Sequence, residues 1–338
     1  MGSHRRLAPS GFDRGALCVL SATAAALGAV ATAVPAATAA PHEDTRTEVD
    51  RLYEAAERAT EAFNEAGERA GTLRRQVGDS QDRIARTQER VNDLREQLGS
   101  LAGAQYRSGG LDPSLALLFS DDPADYLDKA SVLDRLTTHQ AGELKDLQDA
   151  LRELAQERTE ATRKLGDLEK SREAVEKHKR TVEQKLTRAR QLLNSLPSAE
   201  RAAYERASRS GRSDLPGAED APATGRAGAA LAAARSALGR PYVWGANGPT
   251  GFDCSGLVQW SYAQAGVGLP RTSQAQAHAG RRVPLSQARP GDIVTYRSDA
   301  SHVGMYAGNG QVIHAPYPGA PVRYDPVGMM PVSSVTRP

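Results

Sequence analysis

The residue of this chain best suited to nucleophilic chemistry is Cys254, in Asp253-Cys254-Ser255-Gly256-Leu257-Val258. The sequence holds two cysteines, and the other, Cys18, falls in an apolar N-terminal stretch. A thiol attacks as thiolate and is largely protonated at its ordinary pKa of ~8.5, so its surroundings must favour the anion. Cys254 stands where an irregular segment, residues 245–252, gives way to an apolar run with helical spacing, Leu257, Val258, Ser261 and Tyr262. Asp253 or Ser255 is placed to cap that helix. A cysteine in the first turn then meets the positive end of the helix dipole and unpaired backbone N–H groups. His302, in Ser301-His302-Val303-Gly304-Met305-Tyr306, is the candidate base and later acid, because imidazole exchanges protons near neutral pH.

A base that presents one nitrogen to sulfur needs the other held, and His314, in Val312-Ile313-His314-Ala315-Pro316, is placed for that task. Between the histidines lies Ala307-Gly308-Asn309-Gly310-Gln311, a hairpin turn signal flanked by strand-forming residues. The two histidines should therefore sit opposite or diagonal across one ladder, on one face. An oxyanion would meet the Cys254 backbone N–H and the hydroxyl of Tyr242, in Pro241-Tyr242-Val243-Trp244-Gly245. Tyr242 and Trp244 are placed to line a groove. Asp253 and Ser255 offer a carboxylate and a hydroxyl to the amine of a bound peptide. A zinc site of Cys254, the two histidines and His278 would lack the short Cys/His spacings of structural zinc, so no metal or other cofactor is expected.

From about Arg226 to the C-terminus the chain resembles the NlpC/P60 family, papain-like cysteine endopeptidases that cut bacterial peptidoglycan stem peptides. The resemblance rests on six motifs in order: residues 241–245, 253–258, Leu269-Pro270-Arg271-Thr272-Ser273, Pro290-Gly291-Asp292-Ile293-Val294, 301–306 and Ile313-His314-Ala315. It implies Cys254 as nucleophile, His302 as base, His314 as third member and Tyr242 near the oxyanion. It also implies an α+β papain-like domain of helices on a small antiparallel sheet, with hydrolysis between D-glutamate and the following diamino acid. A related Cys/His amidase that removes the whole stem (an N-acetylmuramoyl-L-alanine amidase), and a non-catalytic wall-binding module, are the alternatives.

Positioning falls to the rest of the chain. Its 338 residues exceed one average domain, and the near balance of 43 basic and 41 acidic side chains gives no support to nucleic-acid binding. Arg5, Arg6 and Arg14 precede an Ala-rich apolar stretch and small residues at 37–40, a signal-peptide pattern over 1–39 that predicts a secreted, cell-wall-associated protein. Residues 43–208 repeat apolar or small side chains at alternating three and four spacing. The first arm runs through Val49, Leu52, Ala56, Ala59, Phe63 and Ala66 to Leu101, and the second from Leu133 to Leu196 through Leu136, Leu144, Leu151 and Leu165. An antiparallel coiled-coil hairpin buries both stripes, with an apolar tip around residues 111–119. Residues 209–225, with Pro216 and Pro222, read as a flexible linker to the peptidase domain, 226–338. The helical region resembles those of wall hydrolases that answer to a membrane-associated division complex, which implies such a partner besides the peptidoglycan stem. A free wall hydrolase endangers its own cell, so the rod or linker is expected to cover part of the groove at Cys254.

Overall fold

The structure, a computed structural model, describes residues 41–107, 123–209 and 225–338. The expected signal segment, the hairpin tip and nearly all of the linker lie outside the described residues. Helices α1 (Pro41–Arg107) and α2 (Pro123–Ser195) run antiparallel, and α3 (Ser198–Arg209) follows. At 1.5 Å per residue each long helix reaches roughly 100 Å. Val49 and Leu52 pack on Ala189, Ala56 and Ala59 on Val182 and Leu186, and Val91 on Ala150 and Leu154.

Every seam position expected in the first arm is buried or half-buried. The second arm keeps most of its expected seam, with Leu154, Ala161, Leu168, Val182, Leu186, Ala189 and Leu196 buried, and departs from it at four leucines. Leu136, Leu144, Leu151 and Leu165 face solvent, whereas Ala150, beside Leu151, is fully buried.

In the C-terminal domain, α4 (Gly225–Ser236), α5 (Cys254–Gln264) and the short α6 (Ser273–Gln276) accompany one antiparallel sheet. Its strands are β1 (Arg281–Val283), β2 (Ile293–Tyr296), β3 (His302–Gly308), β4 (Gln311–His314), β5 (Arg323–Pro326) and β6 (Val332–Arg337), ordered β1-β6-β2-β3-β4-β5. Helix α5 packs on α4 and β3, and Leu257, Val258 and Tyr262 join Leu231, Ile293, Met305 and Ile313 in the main core. The expected β3–β4 hairpin forms: Gly308 pairs with Gln311 around Asn309 and Gly310, both with positive φ, the two-residue turn that suits the twist of the strands.

Candidate active site

Cys254 is the first residue of α5. Asp253 caps the helix with extended backbone, and its Oδ1 accepts the Gly256 N–H at 2.7 Å. Position 256 admits only glycine, since a Cβ there would stand 2.2 Å from the Ala246 carbonyl oxygen. The loop before the helix is thus held tightly under its N-terminus, which aims the thiol.

A ring nitrogen of His302 lies within 4.8 Å of Cys254 Sγ. His302 Nε2 meets His314 Nδ1 at 2.8 Å, and His314 Nε2 meets Asp325 Oδ2 at 2.8 Å, with Arg323 on the same carboxylate. Gly304 faces His314 across the ladder, which places the histidines diagonally; a Cβ at 304 would sit 3.1 Å from His314 Cβ. The missing side chain lets the two rings meet edge to face at 5.0 Å. Burial holds His314 down at about 4 against the opposing pull of Asp325, so at neutral pH it is a neutral ring. Asp325 stays ionised: despite burial, its hydrogen bond to His314 and the Arg323 guanidinium hold its carboxyl below the usual range. It accepts the Nε2–H of His314, leaving Nδ1 to accept from His302, so the tautomers follow from the network.

Tyr242 is buried among these groups, and burial together with Cys254, Glu57, Asp253 and Glu61 keeps its hydroxyl protonated far above its ordinary range. Asp253 and Ser255 are fully buried, and Arg271 clamps Asp253 at 2.5 and 2.9 Å and Ser255 Oγ at 2.8 Å. Trp244 is half-buried and packs against the main core. His278 is exposed and stands apart from the cluster.

Helix α1 closes the site. Tyr53, Glu57, Glu61 and Asn64 recur at helical spacing on a second stripe, beside the one that meets α2. Glu57 Oε1 makes a short contact with His302 Nδ1, and Oε2 accepts from Arg297 at 2.6 Å. Glu61 Oε1 accepts from Ser255 Oγ at 2.7 Å and from the Cys254 thiol at 3.6 Å, while Oε2 accepts the Ser273 N–H at 2.8 Å. Asn64 Nδ2 donates to Asp253 Oδ2 at 3.1 Å. Aromatic pairs bracket these contacts, Tyr53 stacked on Tyr317 at 5.3 Å and Phe63 edge-on to Trp244 at 5.2 Å.

The closed site is chemically idle for two reasons. Burial, then the Glu61, Glu57 and Asp253 carboxylates, push the Cys254 thiol well up, so it stays un-ionised, and only 1% of its surface is exposed. Burial also works against the Glu57 anion, but His302 and Arg297 outweigh it and hold the carboxyl below the usual range. An ionised Glu57 oxygen accepts only from an N–H, so His302 Nδ1 carries a proton and cannot act as base.

A thiol at a helix N-terminus followed by two histidines on a neighbouring sheet defines the papain-like class of cysteine hydrolase fold. Residues 239–335 match the sequence model described as the NlpC/P60 family, and the chain belongs to that family through this domain. It is 48% identical over 124 residues to a probable endopeptidase of Corynebacterium glutamicum, a match covering 37% of this chain and 59% of that protein. The chain thus spans about three fifths of that relative's length. Among solved structures it is similar to the P60 domain of a Mycobacterium avium subspecies paratuberculosis antigen, with 38% identity, 33% of this chain and 93% of that chain covered, and a TM-score of 0.32. It is also similar to the peptidoglycan hydrolase RipB of Mycobacterium tuberculosis, with 36% identity, 33% and 64% covered, and a TM-score of 0.31.

Sequence reasoning missed Asp325, Arg271, Arg297 and the α1 residues. Arg271 lay inside a motif already singled out; nothing marked the others.

Proposed function

We propose that this protein is a secreted, cell-wall-associated cysteine endopeptidase of peptidoglycan stem peptides, kept latent by its own first helix. The observation that carries the reading is the relay Cys254, His302, His314, Asp325 within an NlpC/P60 domain. Similarity to a probable endopeptidase and to a peptidoglycan hydrolase supports the substrate class.

Once α1 withdraws, the carboxylates that hold the thiol un-ionised leave with it, and Glu57 no longer occupies His302. His302 Nδ1 takes the thiol proton, and the thiolate attacks the scissile carbonyl carbon. The developing oxyanion meets the Cys254 N–H, with the Tyr242 hydroxyl as a second donor. His302 then gives its proton to the departing amine, and water hydrolyses the thioester in a mirrored second half. Asp253, Ser255 and Trp244 hold the peptide. The scissile bond is that between D-glutamate and the following diamino acid. A membrane-associated partner that engages the rod would supply the free energy that draws α1 away, and exposed Val132, Leu136 and Leu144 on α2 offer it an apolar surface.

The test is mass analysis of fragments from digested sacculi. Sugar-linked dipeptides with released peptides support the reading. Sugars stripped of the entire stem would replace it with an amidase, and an absence of fragments from a Glu57→Ala/Glu61→Ala chain would reduce the domain to a wall-binding module.

A further inference from the structure

Glu57, Cys254 and His302 bring a carboxylate oxygen, a thiol sulfur and a ring nitrogen within 4.8 Å of one another, all three side chains buried, and they converge from α1, α5 and β3. We propose that the closed protein binds one zinc-class divalent ion at this point, and that the ion locks α1 onto the catalytic domain. Sulfur, imidazole and carboxylate form a donor set that zinc accepts in tetrahedral geometry with bonds of about 2.0–2.3 Å. Ligand atoms in such a site stand about 3.5 Å apart, so side-chain adjustments of roughly 1 Å complete it. Glu61 Oε1, 3.6 Å from the sulfur, is placed as the fourth ligand.

Charge permits the ion as well. The closed site gathers the carboxyl groups of Glu57, Glu61 and Asp253 against the guanidinium groups of Arg271 and Arg297. With the carboxylates ionised, a divalent cation replaces one proton on His302 and one on Cys254 and leaves the net charge of this group unchanged. The metal takes the place of the proton now shared by Glu57 and His302, releasing that proton and the thiol proton to solvent. No oxidation or reduction is involved.

The consequence is regulatory. The open enzyme keeps only Cys254 and His302, so the ion binds the closed form more tightly and by linkage shifts the equilibrium toward it. Metal would therefore act as an inhibitor of this enzyme, set by α1 rather than by the catalytic domain. The inference rests on the placement of the thiol and imidazole, not on turnover.

Cobalt titration of the full chain tests it. A thiolate-to-cobalt charge-transfer band saturating at one ion per chain is expected, with zinc displacing cobalt. Cys254→Ser should abolish the band. Glu57→Gln, close in shape, should weaken binding by about tenfold or more, the lower end of what disturbing a metal's supporting groups does, and Glu57→His, which restores a ligating atom, should recover part of it. Equal affinity in wild type and Glu57→Gln would mean that the metal uses the catalytic pair alone, and no band in the folded wild type would exclude the site; either result overturns the proposal. Because the readout is spectroscopic, inactive protein that still binds cobalt through Glu57 would sink the peptidase reading and leave this one standing.

Discussion

Glu61 Oε1 accepts the hydroxyl of Ser255 at 2.7 Å across 194 positions of chain, joining the rod to the residue beside the nucleophile. Its other oxygen caps the backbone N–H of Ser273. A carboxyl group that accepts from the Ser255 hydroxyl, the Ser273 N–H and the Cys254 thiol is a latch, because removing it leaves buried donors without acceptors. Hydrogen bonds to charged groups contribute about 1.5–3 kcal/mol each, so Glu61→Ala should shift the closed-to-open ratio by roughly 30-fold or more. The rate at which iodoacetamide alkylates Cys254 should rise accordingly; an unchanged rate would show that Glu61 does not hold the site shut.

The aromatic contacts test the same closure without touching charge. Phe63 meets Trp244 edge-on at 5.2 Å and also fills the space a Cβ on Gly245 would need, 3.1 Å from Phe63 Cε1. Phe63→Ala should weaken closure by about 1 kcal/mol from the ring pair alone, roughly fivefold in alkylation rate. Trp244→Ala should open the site as much, yet raise KM for stem peptides, which separates its groove role from its latch role.

Closure should weaken as pH rises. Burial, and next the Asp253 carboxylate, push the Glu61 carboxyl up to about 7 in the closed form from an ordinary value of 4.5. The closed form therefore keeps a proton that the open form has already lost. That contribution to closure is complete below the ordinary value and disappears as pH climbs through about 7. Glu57 acts oppositely, since its depressed value makes its contribution vanish only in acid. In metal-free buffer the ratio of wild-type to Glu61→Gln alkylation rates should be flat below the ordinary value of 4.5, rise between there and about 7, and level off at higher pH, the amide standing for the protonated acid. A ratio independent of pH would contradict it.

Asp325 positions His314 rather than touching substrate. Asp325→Asn offers an amide where His314 Nε2–H needs an acceptor and frees the ring to change tautomer. With α1 released, kcat should fall by about 10- to 100-fold, the scale for groups that orient a functional ligand, with KM unchanged. A loss confined to KM would place Asp325 in substrate binding instead.

The sequence made the catalytic half legible because its signals are local. The helix start at Cys254, the Asn309-Gly310 turn and the diagonal histidines each follow from a few adjacent residues. Strands β1 and β6 escaped because they pair residues 281–283 with 335–337, a long-range contact that leaves little trace in either short segment. The second stripe of α1 was invisible for a different reason. Glu57, Glu61 and Asn64 look like the solvated face of an amphipathic helix, and only the tertiary fold turns that face into a buried one. The expectation that the rod covers the groove came from the danger of an unrestrained hydrolase, not from any residue in α1. Asp325 lies on a short strand rich in polar residues, where a carboxylate is ordinarily solvated.

The proposed hydrolysis of stem peptides by the Cys254 thiol, once α1 lets go, has a direct test. Purified sacculi should be digested in parallel with the wild-type chain, a Glu57→Ala/Glu61→Ala chain and the same chain carrying Cys254→Ala. Few fragments are expected from the first, abundant sugar-linked dipeptides and freed peptides from the second, and none from the third. Equal yields from the first two would contradict latency, and undiminished fragments from the third would contradict the thiol mechanism itself.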